Sequence, residues 1–138
     1  MSYTETMLKK FLVTFGIFIA LDGVWLTVVA KNFYAQQLGY LMTTTPNLVA
    51  AGIFYLIYIV TLLTLVITPA LKARSLQQAI MNGALFGLCA YATYDLTNLA
   101  TIRDWPVLVT VVDLIWGTVL SASVAGASYW ALAQSKKR

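Results

Sequence analysis

Histidine is absent from this sequence and cysteine occurs once, at Cys89. The first absence removes the common zinc and haem ligand sets and any histidine general base, and the second rules out a disulfide within the chain. Charge is also scarce. Only 10% of the 138 residues are charged, against roughly 25% in ordinary soluble domains. Hydrophobic residues make up 60%, and the mean hydropathy is +0.79. A chain this short has a high surface-to-volume ratio, so in water much of that apolar surface would stay exposed, whereas lipid tails solvate it. The net charge of +4 raises the question of a polyanionic partner. A nucleic-acid surface, however, needs basic residues gathered on one folded face, and here they stand at the ends of apolar runs. The expected partners are membrane lipids, not nucleic acid.

Four apolar runs extend from Phe11 to Ala30, Asn47 to Thr68, Leu76 to Ala100 and Trp105 to Ala133. Each is long enough for a hydrocarbon core that needs about 20 helical residues. The pattern predicts an all-α membrane protein, one domain over 1–138, with four transmembrane helices at about 8–30, 47–68, 76–100 and 105–133 in one bundle. Local punctuation agrees. Ser2 with Glu5 and Ser75 with Gln78 have capping-box spacing, Pro46 and Pro106 suit first turns, and Pro69 follows a C-terminal end. With the N-terminus inside, Lys9, Lys10, Lys72, Arg74, Lys136, Lys137 and Arg138 are cytoplasmic, leaving Lys31 and Arg103 outside. The positive-inside rule then selects N-in, C-in. Trp105 and Tyr40 near the outer ends, and Trp130 near the inner end, suit an interfacial belt or simple packing. Val28 and Ala30 would serve a signal-peptide cleavage site, but Asp22 interrupts the apolar core such a signal requires, so the segment is expected to stay. Residues 31–45 mix Phe33, Tyr34, Leu38, Tyr40, Leu41 and Met42 with polar residues, which fits an interfacial helix acting as a lid or an ordinary loop.

Three carboxylates fall inside these spans. Asp22 lies nine residues before Lys31, Asp95 eight before Arg103 and Asp113 nine after Asp104, or about 12 to 14 Å deep at the helical rise. Tyr55, nine residues after Pro46, reaches a similar level. A central aspartate costs roughly 2.5 to 3.5 kcal/mol on insertion scales, so each needs a reason to be there. Asn98 and Trp25 follow Asp95 and Asp22 by three, Trp116 follows Asp113 by three, and Tyr91 precedes Asp95 by four, spacings that share a helix face. The two Asp-x-x-Trp elements on antiparallel spans could trace inverted symmetry, but two matched residues are weak evidence and coincidence is the better explanation. No lysine or arginine falls in the layer, so protons or a bound cation must balance the carboxylates. The candidate ligand- or proton-binding set is Asp22, Asp95 and Asp113, assisted by Asn98, Tyr94, Trp25, Trp116 and Tyr55, the last of these reading first as packing. The same three aspartates are the candidates for any bound metal cation, and no cofactor is expected. The competing reading makes the aspartates hydrogen-bonded fasteners of the bundle. Gly83 with Gly87, and Gly117 with Ser121 and Ala125, form small-residue stripes that permit close packing within the bundle or in a homodimer.

The stretches Leu21 to Leu26, Phe54 to Tyr58, Gly83 to Gly87, Tyr91 to Asn98 and Val112 to Gly117 resemble a family of small bacterial membrane proteins catalogued as domain of unknown function 2177. The third-span motif Tyr91-Ala92-Thr93-Tyr94-Asp95-Leu96-Thr97-Asn98 is the longest of them. The resemblance implies a bacterial inner-membrane location and a single four-span unit, supplies no reaction, and tilts towards a lipid-related role. Three functions are weighed, in this order. The first is a site for a proton, a cation or a small polar or lipid ligand, with transport requiring a dimer. The second is a structural or accessory subunit, and the third a membrane lipid-modifying enzyme with paired aspartates as acid and base. The enzyme reading stands last because no catalytic signature and no activated serine or cysteine accompanies the aspartates.

Overall fold

The computed structural model describes residues 3–135. Ser2, and with it the capping box drawn to Glu5, lies outside the described residues, as does the Lys136, Lys137 and Arg138 cluster. Helix α1 (Tyr3–Val24) runs into a widened turn, Trp25–Val29, in which the Ala30 N–H reaches back five residues to the Trp25 carbonyl at 2.8 Å. The short helix α2 (Lys31–Leu38) follows. Helix α3 (Leu48–Leu62) continues through a second widened turn, Leu63–Ile67, into α4 (Thr68–Ala73). Helices α5 (Leu76–Thr101) and α6 (Val107–Ser135) complete the chain, and no strand occurs among the described residues. Residues 31–45 therefore contain a helix, though only over Lys31–Leu38.

Three helical stretches, Thr6–Val29, Leu48–Ala73 and Val107–Gln134, are long and apolar enough to cross a membrane. Helix α5 equals them in length with 26 residues but carries Gln77, Gln78, Asn82, Asp95 and Asn98, which dilute its apolar character. Large side chains face outward on every long helix, among them Val28, Leu48, Leu65, Leu85 and Ile115. Contiguous apolar surface of that extent is what lipid, and not water, solvates.

Helix ends follow side-chain chemistry. The Ser75 hydroxyl accepts the Gln78 N–H at 3.1 Å, as its spacing predicts. Asn47 caps α3 by accepting the Ala50 N–H at 3.0 Å, so Pro46 precedes the cap and is not in the first turn. Pro106 likewise stands just ahead of α6, its carbonyl accepting the N–H of Val109. Pro69 departs furthest from expectation, because the helix continues past it to Ala73. The cause is the widened turn upstream, where the Thr68 N–H bonds the Leu63 carbonyl and the looser winding accommodates the proline ring. The helix stops instead at Arg74, whose φ of 53° is left-handed.

The two ends of the molecule are built differently. Around α4, an apolar core of Phe18, Ile59, Leu62, Ile67, Leu120 and Val124 joins α1, α3 with its widened turn, and α6. Around α2, the interior is polar and aromatic. Helices α5 and α6 pack closely because their small-residue stripes meet each other: a Cβ added at Gly83 would stand 2.7 Å from both the Ala125 Cβ and the Ser121 carbonyl oxygen. One added at Gly87 would collide with the Gly117 carbonyl and the Ser121 hydroxyl. Gly52, in contrast, faces open space. Gly87→Ala is therefore expected to destabilise the protein by about 1–3 kcal/mol through forced separation of α5 and α6. Gly52→Ala should leave stability unchanged or slightly higher, and chemical denaturation in nonionic detergent would measure both.

Candidate functional site

Asp22 on α1, Asp95 on α5 and Asp113 on α6 are all buried, at 7%, 0% and 7% exposure, and all lie in the polar half of the molecule. They do not form one cluster. Asp95 and Asp113 meet side chain to side chain across the close α5–α6 contact. Asp22 is bound elsewhere, accepting the indole N–H of Trp116 at 3.4 Å. Among the described residues no group of three acidic, cysteine or histidine side chains is arranged to hold a metal. The carboxyls stand as a pair with a separate third member.

The pair is chemically incomplete as it stands. Neither carboxyl oxygen of Asp95 has a hydrogen-bond donor, although both are sealed from solvent. The group it faces, Asp113, is another carboxyl, and two ionised carboxylates repel. A proton held between them, or a cation beside them, converts that contact into an attraction. Among the described residues, no basic side chain acts on any of the three aspartates. The backbone at Asp95 is held by α6: the Trp105 indole donates to the Thr110 hydroxyl at 3.0 Å, and that hydroxyl donates to the Asp95 carbonyl at 3.4 Å. Trp105 is buried by this contact, so it packs and does not serve an interfacial belt.

Asp113 has a donor that the sequence reading did not assign. The hydroxyl of Tyr34, on α2, donates to Asp113 Oδ1, and it accepts from the Trp25 indole N–H at 3.1 Å. Burial first, and then the bond to Asp113, hold the Tyr34 phenol well above its ordinary range, which keeps it protonated as a donor. The two Asp-x-x-Trp elements are thereby crossed. Trp116 of one serves Asp22 of the other directly, and Trp25 serves Asp113 through Tyr34. The indole rings stack face to face, with centroids 4.2 Å apart and planes 7° from parallel. The widened turn at Trp25–Val29 redirects the chain so that α2 folds back over this stack. No spacing rule reveals Tyr34, because its contact depends on a chain reversal. The available signal is an aromatic residue in a mixed segment beside a layer that lacks basic residues.

The remaining expected residues line clefts beside the aspartates. Tyr94, Phe54, Ala90, Tyr91 and Asp113 surround a space of about 380 Å³. A neighbouring space of about 220 Å³ includes Asp22, Trp25, Tyr55, Tyr91 and Trp116 in its lining. Tyr94 rests edge-on against Trp105 at 5.7 Å and meets the Asn98 side chain, so Asn98 reaches a tyrosine and not an aspartate. Tyr55 packs edge-on against Phe18 at 5.4 Å while bordering the smaller cleft. Tyr91, common to both clefts, packs on Gly117, whose lack of a side chain admits the ring.

A family profile described as "Predicted membrane protein (DUF2177)" matches residues 7–130. The chain belongs to this family. It is accordingly a membrane protein, and residues 7–130 of this chain, the part that DUF2177 matches, include all three aspartates, both Asp-x-x-Trp elements and Tyr34. No curated protein and no solved structure gives a significant match.

The Tyr34–Asp113 bond is accessible to a double-mutant cycle with Tyr34→Phe and Asp113→Asn. Intramembrane polar contacts average about 0.6 kcal/mol and reach roughly 1.7. A coupling energy at or above the upper figure is expected here, because the acceptor is a buried carboxyl, and additive single-variant effects would show that the bond carries no stability.

Proposed function

We propose that the chain is a four-span inner-membrane protein with both ends cytoplasmic, and that the Asp95–Asp113 pair binds a proton or a small cation within the membrane. The observation that carries the reading is Asp95, fully buried with two acceptor oxygens, no donor, and a second carboxyl against it. A group that serves only as a fastener is satisfied by its partners, as Asp22 is by Trp116. Asp95 gains nothing from the protein in that sense and requires something mobile. The four-span count is supported by the length of α5 and by Met81, Leu85, Leu88 and Leu96, which it turns outward along its course. Orientation is supported by Lys9, Lys10, Lys72 and Arg74 at one end of the helices, with Lys31 and Arg103 at the other.

Two experiments test this. Single cysteines placed at Asn32 and Arg103 in a Cys89→Ser background should react with a membrane-impermeant maleimide in intact cells, and one at Lys72 only after permeabilisation. Labelling of all three from one side would overturn the topology. For the site, the melting temperature of the purified protein in nonionic detergent should vary with pH and with added monovalent or divalent cations. In Asp95→Asn the amide N–H donates to Asp113 in place of the missing proton, a bond worth about 1.5–3 kcal/mol, so the dependence should flatten without loss of fold. Asp22→Asn should keep the dependence, since Asp22 is separate from the pair. A wild-type melting temperature that ignores pH and every cation would favour the accessory-subunit reading.

A further inference from the structure

The larger cleft beside Asp113 has a shape and a lining that specify a class of ligand. Its walls come from opposite helices, Phe54 on α3 and Ala90, Tyr91 and Tyr94 on α5, and Asp113 closes it. Helix α3 reaches α5 mainly through its widened turn Leu63–Ile67 and through α4, at the end remote from Asp113. Towards α2 the α3 surface is unpartnered: Leu48 is 78% exposed, and Val49, Ile53 and Ile57 are exposed with it. Phe54 and Tyr94, at 51% and 57% exposure, therefore stand on either side of a mouth that faces the surrounding lipid. Behind Asp113 lies the donor-less Asp95, fully buried and directed at it.

We propose that an alkylammonium amphiphile without phosphate enters this cleft sideways from the lipid and seats its cationic head on Asp113 among Phe54, Tyr91 and Tyr94. The proposal rests on the cation-binding reading above and names the cation. Aromatic faces attract organic cations that have little hydration to lose, and a carboxylate behind them supplies the counter-charge. A bare metal ion would have to complete its oxygen shell with water beyond the pair, a need that an organic cation does not have. A space of about 380 Å³ falls within the usual range for small-molecule sites, and the alkyl tail can remain between α3 and α5 in contact with lipid. A phosphate-bearing headgroup is disfavoured, since it would bring an anion to two carboxyls that no basic side chain accompanies.

The test titrates the purified protein in nonionic detergent with decyltrimethylammonium and follows tryptophan emission, to which Trp105 beside Tyr94 contributes. Saturable binding is expected, with half-saturation rising at least tenfold in Asp113→Asn and severalfold in Phe54→Ala, whose side chain lines the cleft and is half exposed. Decanol, which has the tail alone, and tetramethylammonium, which has the head alone, should give no saturable response over the same range. An equal response to decanol, or half-saturation unchanged in both variants, overturns the proposal. If Asp113→Asn does not fold, Phe54→Ala carries the decision. Lysophosphatidylethanolamine binding as tightly as the probe overturns the exclusion of phosphate and assigns the head to a lipid. Should the probe fail while the Asp95-dependent response to pH and cations persists, this inference falls and the proton or small-cation site stands.

Discussion

The contact between the Asp95 and Asp113 carboxyls constrains the rest of the polar half of this molecule. Two acids facing each other with no basic neighbour leave their mutual repulsion to be relieved by something that the protein does not provide as a side chain. The close approach that creates the contact is enforced by Gly83, Gly87 and Gly117, which remove the side chains that would otherwise hold α5 and α6 apart. The helix interface and the acidic pair are therefore one feature: separating the helices enough to relieve the acids would open the packed glycine seam.

Around that pair the aromatic residues do two kinds of work. Trp25, Trp116 and Tyr34 provide the donors and the flat contact that join α1, α2 and α6. Phe54, Tyr91 and Tyr94 instead border open space. The apolar core near α4 holds the helices together independently, with Phe18, Ile59, Leu62, Ile67, Leu120 and Val124 interlocked. The two ends thus differ in packing: interlocked apolar side chains fill one, and the clefts beside the aspartates lie in the other.

Much of the architecture was legible in the primary structure. The apolar runs and the cap at Ser75 depend on hydropathy or on neighbours within a turn, and these are local properties. Legibility failed where one helix meets another. Residue counting groups Asp22 with Asp95 and Asp113, yet its side chain turns towards Trp116. Asn98, expected to assist the site, meets Tyr94. Pro69 suggests a stop, and the widened turn that ends two residues before it lets the helix pass.

The amino-acid sequence alone determined the solvent and the approximate positions of the helices along the chain, since both follow from hydropathy and from residue counts at a fixed helical rise. Tertiary structure decided which carboxyls touch, that Tyr34 folds back to Asp113, and that the small-residue stripes of α5 and α6 fill each other. Those facts depend on how far each helix is rotated about its own axis and where the chain reverses. Packing between distant segments sets both, and no spacing within one segment encodes them.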